Sequence, residues 1–392
     1  MASHPSLGTV RQLRAQPTVA GMDRWAAAVR VAVGGATRID LLVALGPGCA
    51  AEHRRQVRAR ARLGDARVDD IYAWIWRDAA AELGAEVTER STGSLELSRA
   101  GHVTRVARQV TALDESSAVE RSRDRAAVQH RLREAGLPVP EYVELGPTDV
   151  RRALAFIAAA DAPCVVKPGA GTGAGYGITC GVRGRGDLVR AALEAARYAP
   201  RLLLERQAPG AMYRILVLDG EVIATVRRDP PHVTGDGCST IGELVAEENR
   251  HRLDAGGYAG LSPLRLDLDC LFTLKAAGLG VRTVPSADER VAIKTSSSDS
   301  GPPDNEPQEA VGAELAAEAV AAARAAGLRL AGVDVVTPDP TRGLRGAGGA
   351  LVEVNATPGL HHHYLVCDPG RAQRVAVTVL WRLLDRPRAT AG

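Results

Sequence analysis

Cys164-Val165-Val166-Lys167-Pro168-Gly169-Ala170-Gly171-Thr172-Gly173-Ala174-Gly175-Tyr176-Gly177-Ile178-Thr179-Cys180-Gly181-Val182 decides the architecture. It opens on an apolar strand pattern that ends in a lysine. Five glycines then fall within nine residues, 169 to 177. Without a Cβ, such a backbone folds close over an anion and presents its N–H groups to phosphate. The loop lacks the GK[ST] ending of a Walker A motif. A second strand pattern follows at 178–182 where a dinucleotide-binding βαβ unit requires a helix. What remains is strand, lysine, glycine loop, strand: a hairpin able to close over a nucleotide. The plain alternative is a flexible linker, and the adjacent lysine and flanking strands argue against it.

Working outward, carboxylates interrupt two late apolar strands. Leu330-Ala331-Gly332-Val333-Asp334-Val335-Val336 carries one acid, and Leu351-Val352-Glu353-Val354-Asn355 carries an acid and an amide. Strand side chains alternate in direction, so Glu353 and Asn355 share a face. A buried carboxylate must pair, protonate or bind a cation. If the two strands are neighbours, Asp334, Glu353 and Asn355 form a cluster of hard oxygen ligands suited to Mg²⁺. The alternative is a wet face on each strand. Leu202-Leu203-Leu204-Glu205-Arg206-Gln207-Ala208-Pro209-Gly210 is an apolar strand running into a polar turn whose backbone is placed to bond a base edge, or is simply a surface turn. The run His361-His362-His363 invites zinc. Adjacent residues do not converge on one ion, and no Cys or Glu sits at ligand spacing, so a histidine near substrate or phosphate, or an ordinary loop, is the better reading.

Bulk properties narrow the class. At 392 residues the chain is long enough for two or three packed subdomains. Its 45% hydrophobic and 24% charged content is that of an ordinary globular protein, and a net charge of +3 gives no broad basic face for nucleic acid. No apolar run is long enough to span a bilayer. Residues 1–22 read as a disordered tail without a signal-peptide core. The six cysteines are dispersed and form no CxxC pair, which favours reduced thiols and a cytoplasmic setting. Only Lys167, Lys275 and Lys294 are lysines among 49 basic residues. A lysine surviving in so arginine-rich a chain marks a place where a compact ammonium is needed, or is left by chance.

The organisation read from periodicity is an α+β chain. Residues 23–120 form a small α/β domain, with a buried strand at 39–45 and a helix at 69–83 whose apolar face holds Ile71, Trp74, Ile75 and Ala79. Tyr72, Trp74 and Trp76 read as core or domain interface rather than a binding patch. Beyond a helix at 124–135, strands are expected at 163–167, 178–182, 201–205, 213–218, 221–227, 329–336 and 350–355. Helices are expected at 148–159, 186–198, 239–249, 309–326 and 369–385. Hairpins are expected around Asp219-Gly220 and between 336 and 350. Thr295–Gln308, polar and breaker-rich, reads as a mobile loop.

These motifs, in this order, resemble the ATP-grasp superfamily over roughly Arg121 to Leu384. The resemblance is to the branch of cyanophycin synthetase and the ligase domain of bifunctional glutathione synthetases, and more distantly to D-alanine–D-alanine ligase. Its most specific pieces are Val165-Val166-Lys167-Pro168 with the glycine loop, and Val352-Glu353-Val354-Asn355-Ala356-Thr357-Pro358-Gly359-Leu360. Tyr213-Arg214, Val233-Thr234-Gly235-Asp236-Gly237 and Thr240-Ile241-Gly242-Glu243-Leu244 match the cyanophycin-like branch. The resemblance implies an ATP-grasp fold, two α+β subdomains clasping ATP (121–208 and 209–392), behind the small N-terminal domain. It implies that Arg125 and Lys167 contact phosphates, and that Gly171, Thr172, Gly173, Gly175, Tyr176 and Gly177 cover them. Glu205, Arg206, Gln207 and Ala208 would hold adenine, and Asp334, Glu353 and Asn355 would ligate two Mg²⁺. Lys294 would stabilise the transferring phosphoryl group.

The implied activity is amide or peptide bond formation from a carboxylate and an amine through an acyl phosphate, on amino acid or small peptide substrates in specialised biosynthesis. Arg214 and Arg228 are the side chains suited to grip the donor carboxylate, with a surface ion pair as the plainer role. The expected partners are small-molecule carboxylate and amine substrates, neither nucleic acid nor membrane, with homodimerisation an option. The competing classes are an ATP-grasp kinase or phosphotransferase and a non-catalytic nucleotide-binding module. Three departures stand out. Arg125 replaces the usual lysine, Met212 stands where an acid usually holds the ribose, and Ser296-Ser297-Ser298-Asp299-Ser300-Gly301-Pro302-Pro303 replaces the usual Ser-x-Gly-Gly segment.

Overall fold

The computed structural model describes residues 51, 55–56, 67–91, 93–146, 149–170, 172, 175–254 and 263–385. The expected tail at 1–22, the strand at 39–45, and Gly171 and Gly173 lie outside the described residues. Three antiparallel sheets and a short ribbon organise the rest. The first holds β1 (Glu86–Ser91), β2 (Ser94–Arg99) and β3 (His102–Ala107). The second has the order β4-β7-β5-β6, from Tyr142–Leu145, Leu202–Arg206, Cys164–Pro168 and Thr179–Val182. The third has the order β12-β9-β8-β13-β14, from Asn305–Gln308, Glu221–Arg228, Ala211–Leu218, Leu330–Thr337 and Ala350–Asn355. The ribbon pairs β10 (His232–Thr234) with β11 (Arg290–Ala292).

The hairpin at the centre of the sequence argument is present: β5 and β6 pair antiparallel with the glycine loop between them. The Asp219-Gly220 turn joins β8 to β9, with Leu218 opposite Glu221. The β13–β14 pair is antiparallel, and a four-residue helix, Leu344–Ala347, sits in its connection. The meander β1–β3 carries no strong apolar alternation, which explains why it was not legible in the sequence.

Packing follows the two faces of the five-stranded sheet. Ile215, Val217, Ala331, Val333, Val335 and Leu351 meet Leu315, Ala319, Ala322 and Ala323 of the helix Ala313–Ala326. The helix Arg125–Glu134 joins that core through Val128 and Leu132. On the other face, Leu216, Leu218 and Ala224 pack against Ile71, Tyr72, Ile75 and Trp76 of the helix at 67–83 and against the helix Val375–Leu384. The N-terminal layer is thus built into the same core as the sheet. Its helix buries Tyr72 and Trp76, while Trp74, expected on the apolar face, is 43% exposed and rests edge-on against Tyr364. Residues 233–293 form a small core of their own, including Val233, Ile241, Leu266, Cys270 and Ile293.

Thr295–Gln308 departs from expectation. It is not a mobile loop: Ser297, Asp299, Asp304 and Asn305 are buried, and Asn305–Gln308 is strand β12 paired with β9. Polar residues hold this segment because fixed cations take the place of water. Asp299 accepts from Arg265 and pairs with Lys294. No helix among the described residues is long and apolar enough to cross a membrane.

Candidate functional site

The two larger sheets face each other across a cleft of about 750 Å³. One wall is Lys167, Glu205 and Gln207 with Thr172 and Gly175 of the glycine loop. The other is the polar end of the five-stranded sheet. Register explains how that end is made. Asn305 lies opposite Arg228, Arg228 opposite Met212, Arg214 opposite Asp334, and Asp334 opposite Glu353. Cross-strand partners share a face, so all five strands aim polar side chains into the cleft from one edge. Asp334, Glu353 and Asn355 therefore do meet, as the alternation argument required. Asn355 Nδ2 donates to Asp334 Oδ2 at 3.2 Å.

The acids do not stand free. Arg214 grips Asp334 bidentately, with Nη2 to Oδ2 at 2.8 Å and Nε to Oδ1. Gly332 permits this, because a Cβ there would stand 3.1 Å from Arg214 Cδ. Burial opposes the Arg214 charge, and the Asp334 carboxylate outweighs it and raises the guanidinium pKa. Arg214, expected to grip a carboxylate, is paired here with Asp334 while lining the cleft. Glu353 accepts from Arg125 Nε at 2.9 Å. Burial pushes the Glu353 pKa up, and Arg125, Lys167 and Arg214 together bring it below the ordinary value. Arg125 also donates to Thr172, to the hydroxyl at 2.9 Å and to the carbonyl at 2.6 Å, and so ties the loop to the β14 acid. Lys167 Nζ lies 2.7 Å from Glu205 Oε1 and 3.2 Å from the Val352 carbonyl, bridging the two sheets.

Arg125, Lys167 and Arg214 pair with Glu353, Glu205 and Asp334, and Arg228 lines the cleft beside them. It is 8% exposed, with Nε at 3.4 Å from Asn305 Oδ1 and Nη2 at 3.3 Å from the Ser297 carbonyl. Among the described residues no carboxylate forms an ion pair with it. Burial, then repulsion by Arg214, lowers its pKa to about 10. Both hydrogen bonds are long, so the buried guanidinium keeps donor capacity toward the cleft.

Other expected residues fall less simply. Lys294 does not reach the cleft. Its Nζ is sealed between Asp267 Oδ2 at 2.6 Å and Asp299 Oδ2 at 2.8 Å, with 1% exposure. Burial lowers its pKa and these acids more than restore it. The expected contact with a phosphoryl group is thus not prearranged: the ammonium is held by two acids. The polar 295–301 segment, not the lysine before it, borders the cleft. Of the glycine loop, Thr172 and Gly175 line the cleft. Gly175 has φ +68°, and a Cβ there would fall 1.8 Å from Ser298 Oγ. Tyr176 instead lies beneath the Arg265 guanidinium at 4.1 Å, and Gly177 packs on Tyr198 and Pro168. In the expected adenine turn, the Arg206 and Gln207 N–H groups already bond the Glu141 and Pro163 carbonyls at 2.9 Å each. Those two donors are not open to a base edge. Arg206, Gln207 and Ala208 line the cleft, and the Arg206 side chain pairs with Asp161.

Sequence reasoning missed Tyr72 and Asn305 at the site; Ser297 and Ser298 belong to the segment it singled out as a departure, and His361 and His362 line the cleft. Tyr72 O–H and His361 Nδ1 are 3.0 Å apart, and the His361 and His362 rings lie tilted at 46° with centroids 4.1 Å apart. Burial, then Arg228 and Arg214, lowers the His361 pKa to about 3, so it is uncharged at neutral pH. His363 turns away to Gln373 at 3.1 Å, its pKa lowered to about 4 chiefly by burial. Among the described residues no group of three or more His, Cys, Asp or Glu is arranged to hold an ion.

Two antiparallel α+β units clasping a cleft, with a glycine hairpin over one wall and an acid–amide row in the other, define an ATP-grasp fold. The sequence relatives agree. The chain is 33% identical over 266 residues to the cyanophycin synthetase of Geminocystis herdmanii, across 67% of this chain and 30% of that protein. It is 30% identical over 260 residues to the glutathione biosynthesis bifunctional protein GshAB of Mannheimia succiniciproducens, across 64% of this chain and 34% of that protein. The chain thus spans about a third of the length of these curated relatives. A solved bifunctional glutathione synthetase from Pasteurella multocida shares the fold, with TM-score 0.50 and 24% identity over 78% of this chain and 42% of that one. No family model matches the chain.

Proposed function

We propose that the chain is an ATP-dependent carboxylate–amine ligase that forms an amide or peptide bond through an acyl phosphate. The observation that carries the reading is Arg228: a buried cation that pairs with no carboxylate among the described residues, beside a row of metal-type oxygen donors, in a cleft lined by Thr172 and Gly175 of the glycine loop. Lys167, Arg125 and the loop N–H groups supply positive potential for a triphosphate. Glu353 and Asn355, with Asp334 beside them, are hard oxygen donors of the kind Mg²⁺ takes, and the phosphate would complete its shell. Two ions are the expected number. Bound there, Mg²⁺ would neutralise phosphate charge.

The side chains of the protein then position rather than react. Arg228 holds the substrate carboxylate by one edge so that an oxygen faces the γ-phosphorus. Attack gives the acyl phosphate and ADP. An amine then displaces phosphate at the acyl carbon, and the ammonium proton passes to solvent. Arg228 and the loop amides stabilise the charge on the transferring oxygens. The activity and its substrates are read from this geometry and from relatives that are longer than this chain. The test is ADP release with hydroxylamine as the trapping amine and carboxylic acids as substrates. Carboxylate-dependent ADP together with hydroxamate supports the ligase. A stable phosphorylated product without hydroxamate indicates a phosphotransferase, and no turnover indicates a binding module.

A further inference from the structure

An amine that attacks an acyl carbon must shed a proton, so the cleft needs a group to take it. Four carboxylates line the cleft: Glu205, Asp299, Asp334 and Glu353. Each is committed to a cation, Lys167, Arg265, Arg214 and Arg125 in turn. A carboxylate held by a cation is a weak proton acceptor. Two imidazoles also line the cleft, His361 and His362. His361 Nδ1 lies 3.0 Å from the Tyr72 hydroxyl. As acceptor of that hydroxyl proton, His361 carries its own hydrogen on Nε2 and offers no lone pair there. His363 is buried against Gln373, and His232 sits between Asp304 and Arg290. His362 is different. Among the described residues nothing hydrogen-bonds its ring nitrogens, and the residue is partly exposed. Gly359 makes room for it: a Cβ there would stand 3.0 Å from His362 Cδ2 and 3.1 Å from Nε2.

Resting on the ligase reading, we propose that His362 is the general base of the amide-forming step, taking the N–H proton as the amine attacks the acyl phosphate and passing it to solvent. The nitrogen lone pair forms the C–N bond. The C–O bond to phosphate breaks, and its electron pair leaves on the phosphate oxygen. The proton moves from nitrogen to the imidazole and then to water. The charges around the ring fit this order of events. Burial, then Arg228, then His361, Arg214 and His363 hold the His362 pKa well below its ordinary value, so the ring is neutral and able to accept. A substrate carboxylate on Arg228 offsets the nearest of those positive charges. The imidazole is then a stronger base with the acid in place than without it.

The test separates the two half-reactions in His362→Gln and His362→Ala. Two kinds of amine are the probes. Hydroxylamine is unprotonated at neutral pH and attacks acyl phosphates without a base. The common amino acids are ammonium ions there and need one; their condensed products are read by mass. Both variants should keep carboxylate-dependent ADP release and hydroxamate within about three-fold of wild type. Both should lose amide formation with amino acids by about 10²-fold or more. Added imidazole should restore part of it in His362→Ala, where the ring has left a space, and not in His362→Gln. A merely structural histidine would lower hydroxamate and amide together, without rescue, and that result overturns the proposal. Amide formation within about three-fold of wild type in either variant also overturns it. So does a wild-type protein that makes hydroxamate but condenses no amino acid, because it then moves no proton from a basic amine. Neither product from the wild type with any acid instead overturns the ligase reading, and this proposal with it.

Discussion

Replacing Arg228 with methionine should make the protein more stable and less active. The guanidinium is 8% exposed, and its pKa falls from 12.5 to about 10. That displacement corresponds to about 3 kcal/mol disfavouring the charged folded state. The sign is fixed by the direction: the folded pKa is depressed, so the cost is fully present at neutral pH. It is relieved only as pH rises through 10 toward 12.5. Against this stand two long hydrogen bonds, to Ser297 O at 3.3 Å and Asn305 Oδ1 at 3.4 Å, together about 1–2 kcal/mol. The methionine stem fills most of the same volume. The net expectation is a gain of about 1–2 kcal/mol, read from urea unfolding at pH 7. Losing the carboxylate grip should cost turnover about 10²–10³-fold, read as ADP release. Arg228→Lys, which keeps charge but loses the two-pronged donor, should recover stability to the native value without full activity. An Arg228→Met protein that is destabilised by more than about 1 kcal/mol, or that turns over within ten-fold of wild type, refutes the account of Arg228 as an anion site.

Three further expectations follow from the same geometry. Glu353→Gln should lower ADP release by about 10²-fold or more while circular dichroism stays native, since the amide cannot replace a charged oxygen donor; near-full ATP consumption would remove the metal assignment. Lys294→Met leaves Asp267 and Asp299 facing each other in a buried site and should cost about 3–5 kcal/mol in urea unfolding; a stable but inactive variant would return Lys294 to the phosphates. His363 has a folded pKa of about 4 against 6.5 unfolded, so the folded state binds fewer protons between these values. Stability should fall by about 3 kcal/mol from pH 6.5 to pH 4 through this group, and His363→Gln should flatten that part of the stability profile.

Much of this protein was legible because strand and loop signals are local. The β5 and β6 strands, the glycine run between them, and the shared face of Glu353 and Asn355 follow from alternation and from turn chemistry within a few residues. Even the meeting of Asp334 with Glu353 needed only that two neighbouring strands form a hairpin. Charge partners are different. Arg214 and Asp334 are 120 residues apart, Arg125 and Glu353 are 228 apart, and Tyr72 and His361 are 289 apart. Nothing local tells one arginine that it will neutralise an acid and another that it will be left empty. Sheet register decides that, by setting Arg214 opposite Asp334 and Arg228 opposite Met212. The same holds for Lys294, whose rarity marked a place for a compact ammonium and which the family resemblance set at the phosphoryl group, but which Asp267 and Asp299 hold. The polar 295–308 segment carries loop composition, yet its Asp299 is buried because Arg265, 34 residues before it, and the adjacent Lys294 satisfy it. Residue pattern determined which strands exist and which way their side chains point. Only the packed tertiary structure determined which charges cancel, because Coulombic partnership depends on position in space and not on distance along the chain.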